Sequence, residues 1–467
     1  MTPTFPAITY IERRSILMEK VAKGLILILG NEDSPMNYTD NPYPFRQDSS
    51  FLYYSGIDRQ NLVLALDADS GEVVLYGNDF SIDDIVWMGH QPQIAEQAAE
   101  VGIHKTGTLG DLEHRLNHAV SDHRIIHYLP PYRQANTIKL ANWLRQSPAE
   151  IITHPSRTLI KTVIHQRSVK SDEELEQLEL AVNLTRDMHL KMMEMAQPGV
   201  QEQSIHAAVT EIALAAGSMS AYPNIISIHG ETLHNHAHGN ILQKGQFLVG
   251  DFGGESPMHY AGDITRTCPV GGELSEIQKS IYNLVLKAEV DSINAVVPGK
   301  PYLDIHLDAS RIIASGLKDL GLMRGDTEEA VAAGAHALFF PHGLGHMLGL
   351  DVHDMEDLGE NLVGYLPEKE RSTQFGLKSL RLARPLLPGF VFTVEPGIYF
   401  IPTLIDLWRE EKRCAEFLNY TEIEKLKDFG GIRIEDNVVV TDDGRKILGK
   451  PIPKTAEEVC EVIRNAG

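Results

Sequence analysis

Apolar residues in this 467-residue chain fall into short continuous runs and longer runs with helical spacing. GLILILG (Gly24–Gly30) is of the first kind and predicts a buried strand. NLVLALDADSGEVVLYG (Asn61–Gly77) predicts two strands around an Asp-Ala-Asp-Ser-Gly turn, a hairpin signal. ITYIERRSILMEKVAKG, ahead of them, predicts a helix ending near Gly24. NPYPFRQDSSFLYYSGI (Asn41–Ile57) is polar, then aromatic, and predicts a loop leading into a strand.

The pattern changes near Ser168. VKSDEELEQLELAVNLTRDMHLKMMEMAQPG opens with Ser171 and, three residues on, Glu174, the pair that caps a helix reciprocally. Leu175, Leu178 and Val182 follow at helical spacing, and Pro198-Gly199 stops the helix. EQSIHAAVTEIALAAG predicts a second helix ending at Gly217. About 100 residues later the arrangement returns: one helix stopped by Pro298-Gly299, then YLDIHLDASRIIASG ending at Gly316. The pairs Ile205-His206 and Ile305-His306 fall in matching places, so His206 and His306 read as helix residues rather than ligands. These patterns predict an α/β (α+β) protein with an α/β domain over 1–167 and a pseudo-twofold domain over 168–467. An active site is expected between the two halves of the latter.

A net charge of -22 argues against non-specific nucleic-acid binding and against attraction to an anionic membrane. Cys268, Cys414 and Cys460 are far apart and odd in number, which suits a reducing compartment better than a disulfide framework. MTPTFPAITYIERR shows no basic segment followed by an apolar core, and the early apolar run is too short to span a bilayer. A cytoplasmic protein is expected.

The candidate chemistry sits in glycine-flanked apolar strands. Asp251 ends one such run and Asp263 follows twelve residues later, as if a hairpin aimed both acids at one place. A carboxylate there is costly unless paired or metal-bound. Glu395 stands in PGFVFTVEPGIYF. Arg433 and Glu435 share one face of GGIRIEDNVVV, with Ile432 and Ile434 on the other. PHGLGHMLGLDVHD contributes His342, His346 and His353. Two Asp, two Glu and an imidazole suit a pair of divalent ions, Mn2+ ahead of Zn2+ or Co2+.

DFGG…YAGDITRT, HGLGHMLGLDVHD, TVEPGIYF and GGIRIEDNVVVT together resemble the pita-bread metallopeptidases, prolidase and aminopeptidase P, over about 170–455. RR…YPFRQDSSFLYYSGI resembles that family's creatinase/aminopeptidase-P-like N-terminal domain. The step from Asp251 to Asp263 is one residue longer than usual in the family, placed in the turn ESPMHY. The resemblance implies metal ligands Asp251, Asp263, His346, Glu395 and Glu435, with Asp263 and Glu435 bridging. It implies Glu395 as the acid–base group, His353 at the oxyanion and His342 orienting substrate. Tyr399 and Arg433 would complete the substrate site, with His234 by spacing; His236 and His238 are open alternatives. Arg381 would receive a substrate carboxylate. The implied reaction is Xaa-Pro hydrolysis of short proline-containing peptides by a homodimer, as a dipeptidase. The alternatives are an aminopeptidase P acting on longer peptides and a catalytically silent binding module.

Overall fold

The computed structural model describes residues 4–367 and 369–467. It divides into two compact units, Met1–Arg167 with Asp357–Gly359, and Ser168–Glu356 with Glu360–Gly467.

The first unit is built on a mixed sheet of β1 (Leu25–Leu29), β2 (Val63–Asp67), β3 (Glu72–Tyr76), β4 (Thr106–Gly107) and β5 (Ile126–Tyr128), in the order β4-β3-β2-β1-β5. β2 and β3 form the hairpin, with Asp67 opposite Glu72. Leu25, Leu27, Val63, Ala65 and Val74 join Leu112, Leu116, Leu140 and Leu144 from two helices in the core. One expectation fails here. The aromatic run after Asp48 is a helix, Ser49–Ser55, not a strand. Asp48 accepts the Phe51 backbone N–H (2.8 Å), a helix-starting cap, and Gly56 ends the helix at φ 67°. All seven helical residues are buried, so the run lacks the exposed face that would have marked its period.

In the second unit, helices Asp172–Met195 and Glu202–Ala215 precede β6 (Ile225–Ser227), β7 (Phe247–Phe252) and β8 (Ile264–Pro269). Helices Glu276–Asn294 and Tyr302–Asp319 precede β9 (Val391–Val394), β10 (Gly397–Tyr399), β11 (Gly431–Arg433), β12 (Asp436–Val440) and β13 (Arg445–Ile447). β6-β7-β8 and β13-β12-β9 are antiparallel three-stranded sheets, and β10 pairs with β11. A helix pair followed by a three-stranded sheet therefore occurs twice. The Ser171–Glu174 cap forms reciprocally, and Ser275–Gln278 caps the matching helix in the same way.

Gly316 does not end its helix, which runs on to Asp319. A Cβ at Gly316 would meet the Leu284 side chain of the partner helix Glu276–Asn294. This glycine lets two helices approach; it is not a stop signal.

Candidate active site and metal centre

The β7–β8 hairpin sets Asp251 opposite Thr265 and leaves Asp263 immediately before β8. Both acids reach the same point, because the Tyr222 hydroxyl lies 2.6 Å from Asp251 and 2.5 Å from Asp263. One hydroxyl proton serves only one of two carboxylates at a time, so the pair needs another source of positive charge.

The second half brings the remaining groups. β9 backs the histidine loop: Thr393 donates its N–H to the His346 carbonyl, and the His346 N–H goes to the Thr393 hydroxyl. Glu395 follows at the end of β9, and Glu435 lies between β11 and β12. One ligand atom each from Asp263, His346 and Glu435 lie within 4.8 Å of one another, all three residues buried. His346 Nε2 is 3.3 Å from Asp263 and 3.6 Å from Glu395. Its Nδ1 is 3.1 Å from the Met347 carbonyl, which holds the proton on that nitrogen and turns the Nε2 lone pair into the cluster.

The electrostatics show what the cluster lacks. Burial, and then Asp263, Glu395 and Asp251, hold the Glu435 carboxyl well above its ordinary range. Burial likewise pushes Glu395 up to about 7, against the pull of His346 and Arg433. Burial raises Asp263 too, with His346 opposing and Asp251 adding to the rise. Burial would lower His346, but the hydrogen bond and charge of Asp263 outweigh it and raise it. Four carboxylates face one guanidinium, Arg433, which pairs with Asp251. Glu435 Oε2 accepts from the Thr265 hydroxyl (2.7 Å), while its buried Oε1 has no hydrogen-bond partner among the described residues. An orphaned carboxylate oxygen beside an imidazole lone pair and further acids fits divalent cations.

Around this centre runs a hydrogen-bonded wall. Arg433 donates to the Tyr399 hydroxyl (2.8 Å) and to Thr265 (3.1 Å). With Arg433 as donor, the Tyr399 proton goes to His342 Nε2 (2.8 Å), and His342 Nδ1–H goes to the Gly343 carbonyl (2.8 Å). Burial, helped by Arg433, lowers His342 to about 3, so its imidazole is neutral. The His353 ring stands edge-on to His346 at 4.3 Å between centroids, its Nδ1 2.6 Å from Glu356. Burial, then His346 and Arg381, lowers His353 to about 2. Arg381 donates to Glu360 (2.7 Å) and lies 3.4 Å from His353 Nε2.

His234, His236 and His238 diverge. His234 lies within electrostatic reach of Asp251, Arg433 and Arg381. His236 is exposed in the same loop. His238 stacks on His206 at 4.4 Å, its Nδ1 at the Ile226 carbonyl. His306 is buried in its helix. Sequence reasoning missed Tyr222, Thr265 and a buried pair, Lys170–Asp354 (2.8 Å), that ties down the residue after His353. Tyr222 follows SMSA on a connecting segment and carries no local signal. The Thr265 in GDITRT could have been found, since it sits two residues past a candidate ligand, on the same strand face.

A buried acid-and-imidazole cluster walled by neutral hydrogen-bonded histidines, built from a repeated helix–sheet unit, defines a metallohydrolase. The chain belongs to metallopeptidase family M24, whose model matches residues 176–442. The aminopeptidase P N-terminal domain model matches residues 10–127. The chain is 31% identical over 457 residues to the Xaa-Pro dipeptidase of Homo sapiens, covering 94% of this chain and 88% of that protein. It is 30% identical over 459 residues to a probable Xaa-Pro aminopeptidase of Uncinocarpus reesii, covering 94% and 90%. Among solved structures, Pseudomonas aeruginosa aminopeptidase PepP superimposes with a TM-score of 0.82 at 28% identity, covering 100% of this chain and 99% of that one. Zn-substituted E. coli aminopeptidase P in complex with product gives 0.80 at 27%, covering 100% of both. The fold is thus mixed α/β, with an N-terminal domain and a pita-bread catalytic domain.

Proposed function

We propose that this chain hydrolyses Xaa-Pro peptide bonds in short peptides, primarily as an Xaa-Pro dipeptidase. The carrying observation is the grouping of Asp263, His346 and Glu435, with Glu395 and Asp251 within electrostatic reach and one buried Glu435 oxygen unpartnered among the described residues. Asp251, Asp263, His346, Glu395 and Glu435 would hold two divalent ions, Mn2+ by preference for a carboxylate-rich set. Bound there, the ions supply Lewis acidity that favours ionisation of a water near neutral pH.

The chain's own groups do the rest. Glu395 accepts the proton of the attacking water and passes it to the proline nitrogen. His353, its Nδ1 proton held by Glu356, offers an Nε2 lone pair, so it accepts a hydrogen bond in the site instead of stabilising the oxyanion. His342, held neutral by burial and the Arg433 charge and fixed in place by the Tyr399 hydroxyl, orients the substrate together with His234. Arg433 keeps Asp251 and Tyr399 in place. Arg381 receives the terminal carboxylate through the planar fork that suits it. A homodimer in the cytoplasm completes this reading. Among the described residues, no helix is long and apolar enough to cross a membrane.

A second reading, an aminopeptidase acting on longer Xaa-Pro peptides, is favoured by one observation: Arg381 already carries Glu360 at 2.7 Å. The deciding experiment is Mn2+-dependent release of proline from Xaa-Pro dipeptides, set against cleavage of Xaa-Pro-Yaa tripeptides, with Glu395→Gln as control. Dipeptide turnover is expected. Activity confined to tripeptides and longer would replace the dipeptidase by the aminopeptidase.

A further inference from the structure

One cavity beside the metal-ligand histidine is lined by His346, His353, Glu356, Glu360 and Arg381. Three of these groups form an ordered array. Arg381 is anchored by its Nε–H to Glu360 at 2.7 Å, and Arg371 pairs with the other oxygen of Glu360. Burial opposes ionisation of Glu360, but the two arginines hold it below the usual carboxylate range, so it is firmly charged. The guanidinium is thereby fixed in orientation from one side. On the other side its Nη2 meets Glu356 at 3.5 Å, the outer limit of a hydrogen bond.

Glu356 is engaged more tightly elsewhere. Its other oxygen accepts from His353 Nδ1 at 2.6 Å. A carboxylate accepts only, so the His353 proton resides on Nδ1 and its lone pair on Nε2. Both Glu356 and Arg381 are partly exposed, at 41% and 33% of their side-chain surface. Glu356 therefore has two neighbours: an imidazole whose tautomer it sets, and a fixed cation whose outward N–H it only loosely occupies. A peptide carboxylate approaching that N–H would come close to the Glu356 charge; a peptide amide in the same place would not be repelled.

We infer that Glu356 sets chain-length specificity, weakening the hold of Arg381 on a free proline carboxylate while it positions His353. The inference rests on the Xaa-Pro peptidase reading and adds to it a residue that balances dipeptides against peptides continued or capped after proline. Two roles on one side chain can be separated by substitution. Glu356→Gln keeps an oxygen for His353 Nδ1 but removes the charge. Glu356→Ala removes both.

The test compares Ala-Pro with Ala-Pro-amide, which differ in the terminal charge, in Mn2+-loaded protein of verified metal content. For Glu356→Gln, the ratio of kcat/KM for Ala-Pro over Ala-Pro-amide is expected to rise about three- to fivefold, the size of a partly exposed charge interaction. For Glu356→Ala, kcat on both substrates is expected to fall about tenfold or more below that of Glu356→Gln, as when a partner orienting a site imidazole is lost. A ratio unmoved in Glu356→Gln overturns the specificity role. Equal kcat in the two variants overturns the positioning role. Wild-type protein inactive on Ala-Pro, Ala-Pro-amide and Ala-Pro-Ala alike would instead defeat the peptidase reading itself, so the two failures are distinguishable.

Discussion

Glu435 and Asp436 are neighbours in sequence, both buried, and their electrostatics are opposite. Asp436 receives Arg266 at 2.6 Å on one oxygen and Lys454 at 2.6 Å on the other, and Lys454 also pairs with Glu289 at 2.7 Å. Two cations meet two anions. Burial opposes ionisation of Asp436, yet Arg266 and Lys454 lower it to about 2. Glu435 faces three other carboxylates and one guanidinium, and its affinity for a proton rises far above normal. The chain can therefore satisfy buried charge when stability is the requirement. It leaves charge unbalanced where an ion is to be bound, and the imbalance, not burial itself, marks the site.

The largest expected contrast is between those two neighbours. Glu435→Gln should abolish metal retention and peptide hydrolysis, read by elemental analysis and proline release. It should leave the metal-free melting temperature at or slightly above wild type, since burial and three neighbouring carboxylates disfavour the Glu435 charge when no cation is present. A metal-free protein that unfolds on this change would erase the distinction. Among the histidines, His346→Ala should strip metal, while His342→Ala and His353→Ala should keep it and lose activity.

Asp436→Asn should do the reverse, costing about 3–5 kcal/mol in denaturant unfolding because Arg266 and Lys454 lose their buried partner. If stability held and metal were lost instead, the two clusters would be one.

A third kind of burial sharpens the picture. His306 and His336 are buried with all four ring nitrogens unpartnered among the described residues. Burial lowers them to about 3 and about 4. Their folded values lie below the unfolded one, so the native state binds fewer protons in acid. Stability is full above about pH 6.5 and falls as pH drops toward 4, by about 1.4 kcal/mol per pH unit per histidine. Urea unfolding at stepped pH should show this slope, and replacing both residues by Leu should reduce it, leaving the share of His189, His342 and His353, which burial also lowers.

The smallest effect concerns Tyr222. Tyr222→Phe removes the hydroxyl shared by Asp251 and Asp263 and should weaken metal affinity by about tenfold, measured by competition with a chelating dye. Unchanged affinity would mean that the hydroxyl serves packing only.

The helix pairs were legible because their signals are short-range: a serine with an acid or amide three residues on, periodic apolar positions, and Pro-Gly stops. The same locality misled at Ser49–Ser55, where burial on every side concealed the period, and at Gly316, where a stop residue serves as a contact.

By itself the sequence determined which residues could carry metal chemistry and in what order, because motif spacing is a property of local chain; Asp263, Glu395 and Glu435, read as strand residues, lie just outside strand ends. Only the tertiary structure decided how those groups are charged and shared. Thr265 and Glu435 are 170 positions apart, as are Arg266 and Asp436, and Arg433 and Asp251 are 182 apart. No local pattern encodes a partner at that range. Whether a buried acid is satisfied, as at Asp436, or left needing a cation, as at Glu435, depends on which distant positive groups folding brings within reach.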